Sequence, residues 1–217
     1  MTNNNSRLLG AALIGLVTVT ASGVAQVRPT SQAGSNWGQF VGTVETRWEN
    51  DGRNMTMLRD FAFIEPNGTT RWDARSSSVI DGASIPQWAW SIVGGPFEGK
   101  YRNASVVHDV ACDTKARPWK KTHRMFYTAA RAGGTDMVRA KVMYGAIYHF
   151  GPRWPDPRLP LAYSLRQGDE NDLARLRQFI EDRPDVSLDS IDRVTSRGLI
   201  AAEPQIRQTS RRPPQFR

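Results

Sequence analysis

The residues of this 217-residue chain best suited by type to do chemistry lie in two short runs, Val107-His108-Asp109 and Asp81-Gly82-Ala83-Ser84-Ile85-Pro86. The first sets an imidazole beside a carboxylate in an otherwise apolar segment, where polar groups cost free energy unless they are paired. One reading is that His108 and Asp109 pin their helix to the Asp81 loop by hydrogen bonds. The second run is a turn followed by a tight Ser-Ile-Pro, too irregular for a strand. Ser84 follows Gly82-Ala83 rather than standing in a nucleophile elbow, and reads as a turn or helix-cap residue. Cys112 is the only cysteine, so no intramolecular disulfide can form, and it reads as a small buried hydrophobe. His123 and His149 could join His108 as metal ligands. Their spacing matches no zinc signature, however, and His149 falls at a helix end, where the dipole favours it.

The elements that must position these residues divide the chain. From Gln39 to Trp48, Phe40, Gly42, Val44, Thr46 and Trp48 alternate against their neighbours, which is strand periodicity. Asn50-Asp51-Gly52 is a hairpin turn, and the return strand runs from Met55 to Ile64. Pro66-Asn67-Gly68 marks a second turn and Thr70 to Ala74 a third strand, giving a small antiparallel sheet. From Tyr101 the spacing becomes helical, with Ala104, His108, Ala111 and Lys115 on one side. A second helix runs from Trp119 to Ala132 and stops at Gly133-Gly134. A third opens at Thr135 as N-cap and closes at Gly151-Pro152. The expectation is an α+β domain over 37–154, a small N-terminal sheet packed with three helices.

Past the Pro-rich stretch 152–160, residues 155–197 read as a separable helical appendage. Asp169 caps a helix with a Leu173, Leu176, Ile180 stripe, Pro184 stops it, and Ser187 to Arg197 can form one more. Residues 198–217, rich in Gln, Pro and Arg, read as a disordered tail.

At the other end, Arg7 precedes an uncharged apolar run from Leu8 to Val19, and Gly23-Val24-Ala25 supplies small residues for cleavage. Residues 1–25 therefore read as a signal peptide, and the mature protein as secreted or periplasmic. The run is shorter than the ~20 residues a spanning helix needs, and the mature form has no other. The net charge is +8 with Arg dominant. That favours anionic partners, which outside a cell are envelope lipids or acidic wall polymers; no nucleic-acid-binding pattern is visible.

The succession Asp-Gly-Ala-Ser-Ile-Pro, a Trp-containing segment, Ala-Ser-Val-Val-His-Asp, a Phe-Tyr helix and Met-Tyr-Gly-Ala-Ile closed by Phe-Gly-Pro-Arg-Trp resembles a family of phage and bacterial proteins. It is known as the domain of unknown function 1353. The likeness covers about Phe40 to Trp154 and implies the domain without an activity. More distantly, the Gly-rich loop, the His-Asp helix and the following helix are similar to the phospholipases A2. That resemblance implies His108 as general base and Asp109 as calcium ligand, with Gly94, Gly95 and Gly99 as the calcium loop. Neighbouring helical residues point about 100° apart, so His108 and Asp109 could face a metal and a water lying between them. The carboxylate that orients the His in that superfamily falls at His123, and an imidazole cannot act as that anion. Asp113 or Asp81 could substitute from another element.

Two functions of different class follow. One is a hydrolase of ester bonds in envelope lipids or wall polymers, phospholipase A2-like, using His108 with a metal or carboxylate. The other is a non-catalytic envelope-binding or structural module of phage-related origin. A cleft that opens on His108 favours the first, and full burial of His108 the second.

Overall fold

The computed structural model describes residues 36–82, 89–95, 97–155 and 169–194. The expected signal peptide and Arg-rich tail, together with Ser84 and Trp88, lie outside the described residues.

The N-terminal half is an antiparallel meander in which every strand breaks at its middle. Strands β1 (Gln39–Val41), β4 (Phe61–Ile64) and β5 (Arg71–Ala74) form one sheet in the order β1-β4-β5. Strands β2 (Thr46–Trp48), β3 (Met55–Met57) and β6 (Val79–Ile80) form the other in the order β2-β3-β6. Gln39 pairs with Ile64 on one side of the break and Trp48 with Met55 on the other, so the register of the first hairpin is unchanged across it. The Phe61–Ala74 and Met55–Ile80 pairs carry the second hairpin across in the same way. The continuous strand expected over 39–48 is interrupted because Gly42 takes φ +89°, with the Asp60 carbonyl 2.8 Å from where a Cβ would stand. Opposite, Asp60 turns aside to accept a hydrogen bond from the Ser76 amide at 2.8 Å. Strand β6 was not anticipated; with only two residues it carries too little alternation to register.

The helices follow. A short α1 (Trp90–Val93) and a 3-10 turn (Gly99–Tyr101) lead into α2 (Arg102–Thr114), α3 (Trp119–Ala132) and α4 (Met137–Phe150). Helix α2 lies against α3 and strands β4, β5 and β6, and α4 packs on α3. These are the three expected helices, and the class is α+β. Lys115 does not extend the apolar face of α2; it ends the helix at φ +52°, its amide bonding Ala111 O. The cap of α4 is Asp136, which accepts from the Arg139 amide at 2.9 Å. Thr135, expected in that role, instead donates its amide to Ala130 O and completes the end of α3.

Helices α5 (Glu170–Glu181) and α6 (Leu188–Arg193) begin at the caps Asp169 and Ser187. They are not a free-standing appendage. Leu173, Leu176, Ile180 and Ile191 are fully buried in the same core as α4. Gly145 of α4 admits them closely, since a Cβ there would meet Leu176 Cδ2 at 2.9 Å. Polar contacts lock the joint: Arg124 pairs with Asp189 and Asp192, and the Tyr144 hydroxyl donates to Asp192. Leu176→Ala is therefore expected to lower global stability by about 2–5 kcal/mol, as for a core leucine. Urea denaturation checks it: an unchanged midpoint would mean α5 does not share the core.

Candidate functional site

His108 and Asp109 leave α2 in different directions, as neighbouring helical residues must. The Asp109 carboxylate turns toward the end of β6, where Oδ2 accepts from the amides of Asp81 at 2.8 Å and Gly82 at 3.0 Å. Half of the anticipated pinning is therefore present, and it is made to backbone. The Asp81 side chain faces Arg53 at 3.5 Å.

His108 goes to α3. It is fully buried, and its Nε2 lies 2.9 Å from Nδ1 of His123, also fully buried. His123 Nε2 faces the Pro152 carbonyl at 3.0 Å. A carbonyl only accepts, so Nε2 of His123 carries the proton, Nδ1 is the acceptor, and His108 donates to it from Nε2. His108 Nδ1 is left with its lone pair, 3.8 Å from Cys112 Sγ one helical turn on. The orienting position expected to need an anion is thus served by a neutral imidazole. Neither Asp113 nor Asp81 takes that place.

Burial holds both rings neutral. It lowers the pKa of His108 well below the ordinary histidine value, and the neighbouring His123 adds to the effect. Burial likewise pushes His123 down to about 3, the Pro152 hydrogen bond opposing and the Arg153 charge reinforcing the shift. His149 stands apart from this cluster, its Nε2 donating to Ile191 O at 2.8 Å. Cys112 is more than a packing atom, because its sulfur lies 3.6 Å from His108 Nε2.

Two neighbouring clefts share Asp81. One, of about 380 Å3, is bordered by Asp81, Asp109, Cys112, Asp113, Lys115 and Pro152. It touches two neighbours of His108 without reaching His108 itself. The other, of about 460 Å3, is an aromatic groove bordered by Trp48, Trp90 and Phe97, with Asp81, Arg53 and Glu98. Gly95 and Asp81 both line this groove, while Asp109 lines the other cleft. The Gly95 carbonyl accepts the Tyr101 hydroxyl at 2.6 Å. A Cβ on Gly94, at φ +93°, would meet that same hydroxyl at 2.5 Å. Gly99 opens the 3-10 turn beneath the Tyr101 ring. The glycines expected to form a calcium loop are thus packed around Tyr101.

The groove is what sequence reasoning missed. Trp48 falls on the apolar face by alternation but is 65% exposed. The sequence signal for it is the concentration of Trp in the first half of the chain, where five of the seven lie (Trp37, Trp48, Trp72, Trp88 and Trp90).

Residues 55–147 match the model of a protein family described as of unknown function, DUF1353. Over this segment the chain is similar to that family. The buried histidine pair, Asp109 and most of the groove lie inside the matched segment, while Trp48 and Arg53 just precede it. The chain is 43% identical over 151 residues to the uncharacterized protein y4jT of Sinorhizobium fredii (strain NBRC 101917 / NGR234), which covers 69% of this chain and 42% of that protein. It is 40% identical over 104 residues to the uncharacterized protein y4iH of the same strain, covering 48% and 43%. The chain thus spans about two fifths of the length of these curated relatives. No solved structure matches it.

Proposed function

We propose that this protein is a non-catalytic module that binds a saccharide polymer of the cell envelope along the aromatic groove. The observation that carries this reading is Trp48, 65% exposed at a groove it shares with Trp90 and Phe97. A large ring left in water is costly unless something covers it. Aromatic faces carry negative charge density and attract the C–H face of a sugar ring, while Asp81, Glu98 and Arg53 supply acceptors and donors for its hydroxyls. The +8 net charge suits a polymer that also bears anionic groups. The export signal expected at Met1–Ala25 would deliver the protein to such a polymer, and no helix among the described residues is long and apolar enough to cross a membrane.

The binding reading is preferred to a hydrolase because a general base must come within hydrogen-bond reach of the proton it removes. His108 is buried and its Nε2 is engaged by His123.

Co-sedimentation with purified peptidoglycan sacculi, with tryptophan fluorescence on soluble fragments, tests the proposal. Wild-type protein binds, and Trp48→Ala weakens binding about 10- to 100-fold, the value of covering one large aromatic side chain. Its melting temperature stays near wild type, since the side chain is exposed. Equal binding by the variant, or binding only to anionic lipid vesicles, would overturn the reading. Release of soluble wall fragments or free fatty acid would instead favour the hydrolase.

A further inference from the structure

We propose that His108, Cys112 and His123 form a binding site for one soft or borderline transition-metal ion, Zn2+ or Cu+. This stands apart from the saccharide groove and does not depend on it.

The ligand atoms of the three side chains all lie within 4.8 Å of one another, and all three residues are buried. Two come from a single helix face, since His108 and Cys112 are one turn apart, and the third comes from α3. Metal–nitrogen bonds of about 2.0–2.1 Å and metal–sulfur bonds of about 2.3 Å put neighbouring ligand atoms roughly 3.3–3.6 Å apart in a tetrahedral site. The His108 Nε2 to Cys112 Sγ separation is already 3.6 Å. The two ring nitrogens stand at 2.9 Å and need to open by only about half an ångström.

The surroundings fit as well. A ligating histidine characteristically donates its second ring N–H to a carbonyl or carboxylate, which fixes the tautomer and aims the lone pair at the metal. His123 does this through Nε2 to Pro152 O at 3.0 Å. One thiolate and two imidazoles make a donor set that selects zinc or copper over calcium or magnesium. Cys112 and Pro152 border the 380 Å3 cleft, which gives a route for the ion and for a further ligand such as water.

The proton balance is simple. Without metal, the proton on His108 Nε2 lies between the two rings. On binding, that proton moves to Nδ1, the Cys112 thiol releases one proton to solvent, and the ion takes the three lone pairs. Each ion bound as M2+ therefore changes the charge of the site by +1.

The full-length chain, stripped with a chelator and checked for native circular dichroism, is titrated separately with Zn2+, Cu+ and Co2+. Stoichiometry is read by elemental analysis, and Co2+ serves as the spectroscopic probe. One equivalent of Zn2+ or Cu+ is expected to bind and raise the melting temperature. Co2+ is expected to give tetrahedral d–d bands and a sulfur-to-metal charge-transfer band. Cys112→Ser, a near-isosteric change, should abolish the charge-transfer band and weaken metal binding about 100-fold or more while the protein stays folded. A folded stripped protein that takes up none of the three ions at micromolar concentration overturns the proposal. So does a Cys112→Ser variant that binds as the wild type does. Loss of metal binding with saccharide binding intact, or the reverse, separates this site from the groove.

Discussion

Asp109→Ala is expected to lower the unfolding free energy by about 2–5 kcal/mol, because it leaves the amides of Asp81 and Gly82 without their acceptor. The carboxylate is buried, and a charge-assisted bond to a backbone amide is stronger than a neutral one. Asp109→Asn keeps one side-chain oxygen and should recover part of the loss. The effect reaches beyond stability, since the two amides belong to the segment from which Asp81 lines the groove. Saccharide binding should therefore weaken in Asp109→Ala although the residue does not border the groove itself. Urea denaturation, read by circular dichroism and by tryptophan fluorescence, checks the stability. A change within 0.5 kcal/mol for the alanine variant would mean the carboxylate does not anchor the loop.

Most of the helices were legible because local rules set them. Apolar spacing marks α2 and α3, Gly133-Gly134 ends α3, and Asp169 and Ser187 cap α5 and α6. The meander was legible for the same reason, through Asp51-Gly52 and Asn67-Gly68. What did not show was the break across its middle, which depends on Gly42 meeting the Asp60 carbonyl, a contact between residues eighteen positions apart in the chain. The packing of α5 and α6 on α4 was likewise hidden. Their apolar stripe is visible in the sequence, but the close approach that Gly145 permits is a property of two helices together.

The site was half legible. An adjacent His and Asp in an apolar helix required partners, and Asp109 found its own at the predicted Asp81 loop. The phospholipase resemblance points to a carboxylate as the partner of His108. A buried imidazole meets the same geometric need without a charge, because low dielectric surroundings penalise an ion more than a neutral acceptor. Taken alone, Cys112 reads as a packing atom; the significance of its place one turn after His108 emerges only once His123 is brought across from α3.

The pairing of the two rings has a second large consequence, which a double-mutant cycle on metal-stripped protein measures. His123→Leu removes the acceptor for His108 Nε2 and the donor to Pro152 O, leaving two polar groups unpaired in a dry interior. A loss of about 2–4 kcal/mol is expected. His108→Phe leaves only Nδ1 of His123 without its donor, and should cost less, about 1–3 kcal/mol. In the double variant both imidazoles are gone, so neither strands the other and only Pro152 O lacks its partner. The double variant should therefore be more stable than the sum of the singles requires, with a coupling energy of about 1–3 kcal/mol. Equilibrium urea unfolding of the four proteins at neutral pH gives the coupling directly, and both rings are neutral there because burial depresses their pKa values. Additive losses would mean that His108 and His123 contribute independently, as packing groups, and that the 2.9 Å contact between them carries no energy of its own.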